Sequence, residues 1–123
     1  MVPVTQTPRT YSDTRTASGP LLFISGQIPL REDGTVPEDV TEQTGLVLAK
    51  IAAHLDTHGL DWAAVVKVTY FLRDIGDLRP FREAVLAAVP EPRPAASLVE
   101  VSNLVDARFR IEIEAIADLG ALA

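Results

Sequence analysis

The chain contains no cysteine. Disulfides, thiolate nucleophiles and cysteine-based metal sites are therefore excluded. Positive charge is scarce: 11 Lys and Arg stand against 17 Asp and Glu, a formal charge of -6. A broad anionic field repels phosphate backbones and anionic lipid, so neither nucleic acid nor membrane is expected as a partner. A small anion held by one local arginine remains compatible with that field. No apolar run reaches the roughly 18 residues of a membrane span. Met1 to Pro8 lacks the positive region and apolar stretch of a secretory leader, so the expected location is the cytoplasm. Gly26 and Gly34 have neither the spacing nor the lysine of a phosphate loop. His54 and His58 sit four apart on one helix, but no third ligand accompanies them and a metal site wants about four. Ser25 and Ser97 have no evident histidine partner, which makes a serine hydrolase a poor fit. No metal and no cofactor is expected.

What is present is enough for a folded core. The 123 residues are 47% hydrophobic, enough for one domain. Residues 1–10 read as a flexible N-terminal arm, and 11–123 as a single domain. Tyr11 to Ser18 reads as a polar edge strand and Leu21 to Ile24 as an apolar one. Gly26 marks a place for close backbone approach. Asp39 and Glu42 have capping-box spacing. Val40, Thr44, Val47, Leu48, Ile51 and Leu55 then form one apolar stripe of a helix that Gly59 ends. Val65 to Leu72 reads as a mostly buried strand. Asp77 is placed to cap a second helix carrying Leu78, Phe81, Val85 and Leu86 inward. Ser97 to Val101 and Arg110 to Ala117 read as the last strands. The order β, β, α, β, α, β, β predicts an α+β mixed sheet with both helices on one face. The other face needs a cover, and self-association supplies it.

Several segments carry a resemblance when taken together and in order. They are Phe23-Ile24-Ser25-Gly26-Gln27-Ile28-Pro29, Asp39 to Gln43, Val65 to Asp74, Pro94-Ala95-Ala96-Ser97-Leu98-Val99-Glu100-Val101, and Ile111 to Ala117. They resemble the Rid family, the YjgF/YER057c/UK114 imine and enamine deaminases. The resemblance implies a chorismate-mutase-like fold, a homotrimer whose sheets form a barrel, and clefts between subunits. It also implies cofactor-independent hydrolysis of small enamines and imines, such as 2-aminoacrylate, to 2-oxo acids and ammonia. Gly26 matches the glycine of the family's early motif, and Glu112 the glutamate that orients the attacking water. Ala96 stands where the family's carboxylate-gripping arginine falls. Leu98 replaces a cysteine or small polar residue of many members, and Arg82 replaces an asparagine. The cleft aromatic of the first strand falls at Ser12, with Tyr11 beside it.

Read as residues, Ala96, Leu98 and Glu100 share one strand face. That face either packs the inner surface of an assembly or lines a cleft rebuilt for a less anionic ligand. Glu112 and Glu114 share a face as well. One of them serves as a general base if burial lifts its pKa, or else is a structural carboxylate paired with Arg108 or Arg110. Arg15, Arg82, Arg93 and Arg108 are the candidate replacement cations. The leading reading is a Rid-like hydrolase of altered specificity. Its catalytic residue is Glu112, and its binding residues are Gly26, Ser97, Ala96, Leu98, Tyr11, Arg82 and Arg93. Two alternatives stay open: a divergent member that binds a small metabolite or catalyses a different step in a biosynthetic pathway, and a trimeric binding protein without chemistry.

Overall fold

In the computed structural model, residues 8–122 are described. Helix α1 (Val40–Thr57) starts where the Asp39 side chain accepts the Glu42 N–H at 2.7 Å, satisfying a donor the first turn leaves unpaired. The stripe from Val40 to Leu55 is buried throughout. The helix stops in a Schellman motif. Gly59, at φ +71°, lets its own N–H reach Asp56 O and the Leu60 N–H reach Leu55 O. The buried Leu60 then packs near Leu55 in the core.

The strands are β1 (Leu21–Gln27), β2 (Val65–Leu72), β3 (Ala95–Glu100) and β4 (Ile111–Asp118), with helix α2 (Leu78–Ala88) between β2 and β3. The sheet order is β1-β4-β2-β3. β4 runs antiparallel to both neighbours, and β2 and β3 are parallel. A mixed sheet with α1 and α2 on one face is what the polar and apolar pattern predicts. Ile24, Val68, Tyr70, Leu72, Ile111, Ile113 and Ala115 face those helices and join the core. Phe23, Phe71, Glu112, Glu114 and Ile116 lie on the opposite, helix-free face, where Phe23 is 70% exposed.

Three expectations are corrected. The barrel is overturned by the sheet itself, which is open. β1 and β3 are its two edges and do not pair. They stand three strand spacings apart, roughly 14 Å at about 4.8 Å each, and four strands are too few to close around a core of side chains. Tyr11 to Ser18 is not a strand. A single parallel bridge, Ser12 to Ala95, is all the pairing it makes. Pro92 and Pro94 bring no N–H to the adjoining edge, so a ladder cannot extend there. Asp77 precedes α2 but its side chain caps nothing. Its carboxylate takes a charge-assisted bond from Arg110 at 2.9 Å instead. The expected arm, 1–10, lies mostly outside the described residues; of its last three, Thr10 is buried.

Two buried polar clamps set the position of β4. The Gln43 amide donates to Pro37 O and Arg108 O and accepts from the Arg110 N–H, so it ties the segment entering β4 to the loop before α1. At the other end, Asp118 accepts the N–H groups of Ser18, Gly19 and Gly120 at 2.8–3.0 Å. Those bonds, led by Ser18, lower its pKa below the usual aspartate value. A lowered native pKa means that the unfolded chain binds the proton more tightly. The stabilisation is therefore present above pH 4 or so and is lost as pH falls through the native pKa. The urea midpoint of the parent should fall more steeply than that of Asp118→Asn between about pH 5 and 3. Parallel slopes for the two proteins would remove Asp118 from the acid sensitivity.

Candidate functional site

The Gly26 backbone lies against the Glu112 side chain on the helix-free face. A Cβ on Gly26 would stand 2.2 Å from Glu112 Oε2 and 2.9 Å from its Cδ. The β1–β4 register slips between Ile24 and Gln27, so an irregularity places Gly26 there. Its φ is not positive; glycine is required for close approach, not for backbone freedom. Burial raises the Glu112 pKa, and the neighbouring Glu114 charge adds to the shift. Neither expected cation reaches this pair: Arg108 binds Asp106 and Arg110 binds Asp77. The result is a carboxylate of enhanced basicity held beside a bare stretch of backbone.

Substituting Gly26→Ala tests that contact. The clashing atom is the end of a flexible side chain, so the fold should survive at a cost below about 1 kcal/mol. Glu112 must swing away, and a displacement near 1 Å of a reacting group costs on the order of 100-fold in turnover. Parent-like turnover in a folded Gly26→Ala protein would show that the contact is idle.

A second feature lies on the other side of the sheet. Thr10, Tyr11, Tyr70, Leu78, Phe81, Arg82, Ala96 and Leu98 line a cavity of about 210 Å³. Ala96 and Leu98 are half-buried and pack against the core beside Val68 and Tyr70, their strand partners. The absence of a long side chain at Ala96 thus leaves room where β3 meets α2. Tyr11, Arg82, Ala96 and Leu98, four of the residues singled out from sequence, come together here.

The remaining candidates are elsewhere. Ser97 is exposed on the helix-free face, within reach of Lys67 at 3.4 Å. Glu100 accepts the Ile75 N–H and supports the turn before α2. Arg93 donates to Val89 O and Arg9 O and pairs with Glu91. Arg15 serves the carbonyls of Ala63, Val65, Pro92 and Arg93. Arg108 pairs with Asp106. Arg82 alone among these guanidinium groups makes no hydrogen bond or ion pair among the described residues, and it lines the cavity. The two histidines bond locally, His58 Nδ1 to His54 O and His54 to Gln27, and no group of metal-ligating residues forms among the described residues.

Comparison with known proteins identifies the scaffold. The family model described as Endoribonuclease L-PSP matches residues 4–119. The chain belongs to the Rid family. It is 40% identical over 102 residues to the RutC family protein PH0854 of Pyrococcus horikoshii, covering 81% of this chain and 80% of that one. It is 39% identical over 101 residues to Reactive Intermediate Deaminase A of Arabidopsis thaliana, covering 80% of this chain and 54% of that protein. Among solved structures, Escherichia coli TdcF with bound serine superposes with a TM-score of 0.74 at 30% identity, over 88% of this chain and 87% of that one.

Within this Rid protein the feature that the sequence reading passed over is Tyr70. It sits between Val68 and Leu72 on the inward face of β2. A phenol at that point of an otherwise aliphatic row was the available signal. The alternation of β2 and β4 also divides the site. Ala96 pairs with Val68 on the helix side, whereas Glu112 pairs with Phe71 and points the other way. One chain therefore cannot bring the Glu112 carboxylate and the Ala96 cavity together.

Proposed function

We propose that this Rid protein hydrolyses a small imino or enamino acid, as a homotrimer whose sites are completed between subunits. The observation that carries the reading is Glu112: a carboxylate of raised pKa, with no ion-pair partner among the described residues, pressed against Gly26 on the helix-free face. In the proposed reaction water adds to the imine carbon while Glu112 accepts a proton. That proton passes to nitrogen, the hydroxyl of the resulting carbinolamine gives up a second proton that also reaches nitrogen, the carbon–nitrogen bond breaks, and ammonia and a 2-oxo acid leave. A positioned base of this kind contributes about 100-fold or more. Arg82 supplies the guanidinium for the substrate carboxylate from α2, in place of the arginine that the family carries at Ala96. The name of the Arabidopsis relative and the serine in TdcF support an amino-acid-like ligand.

Association follows from the same division of the sheet. Glu112 of one subunit meets the cavity of another only across a contact. The exposed Phe23 and Val99 on the helix-free face are the kind of apolar surface that contact removes from water. No helix among the described residues is long and apolar enough to cross a membrane. A net charge of -6 disfavours RNA as the substrate.

The test is release of ammonia and 2-oxo acid from imines generated in solution, measured beside a protein-free control. Imines with larger apolar side chains should turn over above about 1 per second, and faster than 2-aminoacrylate, whose small side chain leaves the cavity empty. Light scattering on the same sample should give about three times the 13.3 kDa chain mass. A stable monomer, or release no faster than the control for every imine, would overturn the reading.

A further inference from the structure

We propose that Tyr70 is the specificity-determining donor of the cavity: its hydroxyl pairs with one neutral acceptor on an otherwise apolar side chain of the bound ligand. The inference rests on the reading above and names the part of the ligand that this cavity selects. Tyr70 is 2% exposed, and its Oη has no hydrogen-bond partner among the described residues. Buried polar groups are nearly always paired, and an orphan calls for a ligand, a water or a cost. The ring cannot easily turn to seek solvent. It stands edge-on to Phe81, with centroids 4.8 Å apart, and its strand neighbour is Leu98.

The surroundings define the missing partner. Leu78, Phe81, Ala96 and Leu98 are apolar, so a charged group entering here loses its water without compensation. Arg93, the charge that Tyr70 senses, is committed to Val89 O, Arg9 O and Glu91. Burial holds the phenol protonated across the neutral range, so it remains able to donate. The volume of about 210 Å³ exceeds the roughly 150 Å³ that takes a benzene-sized guest. The fitting ligand has an aliphatic side chain interrupted by one ether or carbonyl oxygen. Its carboxylate stays outside the apolar walls, at Arg82.

Two imines made in place by an L-amino-acid oxidase test this, one from O-methylhomoserine and one from norleucine. Their side chains have equal length and differ by an oxygen in place of a methylene. The parent should prefer the ether imine in kcat/KM by roughly three- to tenfold, the range of one neutral hydrogen bond. Tyr70→Phe should bring that ratio near one, through a fall in kcat/KM for the ether imine. Its urea midpoint should be no lower than the parent's, because the hydroxyl had no protein partner to lose. Calorimetry with the unreactive 4-methoxy-2-oxobutanoate and 2-oxohexanoate reads the same preference without turnover. If the parent hydrolyses neither imine but binds the methoxy acid more tightly, and Tyr70→Phe does not, the Tyr70 assignment stands and the hydrolase reading falls. Hydrolysis of both imines with equal efficiency does the reverse. A preference that survives in Tyr70→Phe, or no binding of either acid, overturns the assignment.

Discussion

Glu112→Gln lowers imine turnover by roughly 100-fold or more while the protein folds and assembles as before. Glutamine keeps the size of the side chain and its position beside Gly26, but has no basic oxygen to take a proton from water. The pH profile carries the more specific signature. The parent needs Glu112 ionised, so its rate falls as pH drops through the Glu112 pKa. Burial and Glu114 raise that pKa, which starts the decline at a higher pH than an ordinary glutamate near 4.3 would. The acid limb should vanish in Glu112→Gln. The stability effect has the opposite sense. The native state holds this proton more tightly than the unfolded chain, so the contribution of Glu112 is present at low pH and is lost as pH rises through the raised value. A folded Glu112→Gln protein with parent-like turnover would leave backbone groups or Glu114 as the agents of water activation.

Arg82→Ala raises KM for a carboxylate-bearing imine by roughly 10-fold or more, the range of a hydrogen bond to a charged group, with a smaller effect on kcat. The expectation comes from exclusion by geometry: among the described residues Arg15, Arg93 and Arg108 spend their donors on protein groups, and Arg82 does not. Arg82→Lys should recover only part of the loss, because an ammonium lacks the fork that matches a carboxylate. Ala96→Arg in the Arg82→Ala background should restore binding from the other wall of the cavity, unless the new side chain overfills it. The parent's KM should also rise with ionic strength, since an exposed charge is screened. An unchanged KM in Arg82→Ala would place the carboxylate elsewhere.

The parts of the fold written in short stretches of sequence were legible. Asp39 and Gly59 bound α1 because capping is settled within a few residues of each end. Val65 to Leu72 reads as a strand from its β-branched and aromatic content alone, and β2 has those bounds. Tyr11 to Ser18 misled because its polar alternation suits a strand, whereas the neighbouring edge is broken by prolines 80 residues away. Asp77 misled for a related reason. Its spacing suits a cap, but Arg110, 33 positions on, offers a charge.

The candidate site divides along the same line. Composition alone excluded thiol chemistry, and a single residue type, alanine at 96, was enough to show that no guanidinium can act from that position. Strand parity placed Ala96 with Leu98, and Glu112 with Glu114. Parity does not say which face meets the helices, so only the assembled sheet put the two pairs on opposite sides. Nor does sequence say which arginine keeps its donors unspent, because carbonyls and carboxylates far along the chain compete for each one. The orphaned hydroxyl of Tyr70 is of the same kind: burial is a property of everything packed around a group, and its hydrogen-bond account closes only when the whole neighbourhood is in place.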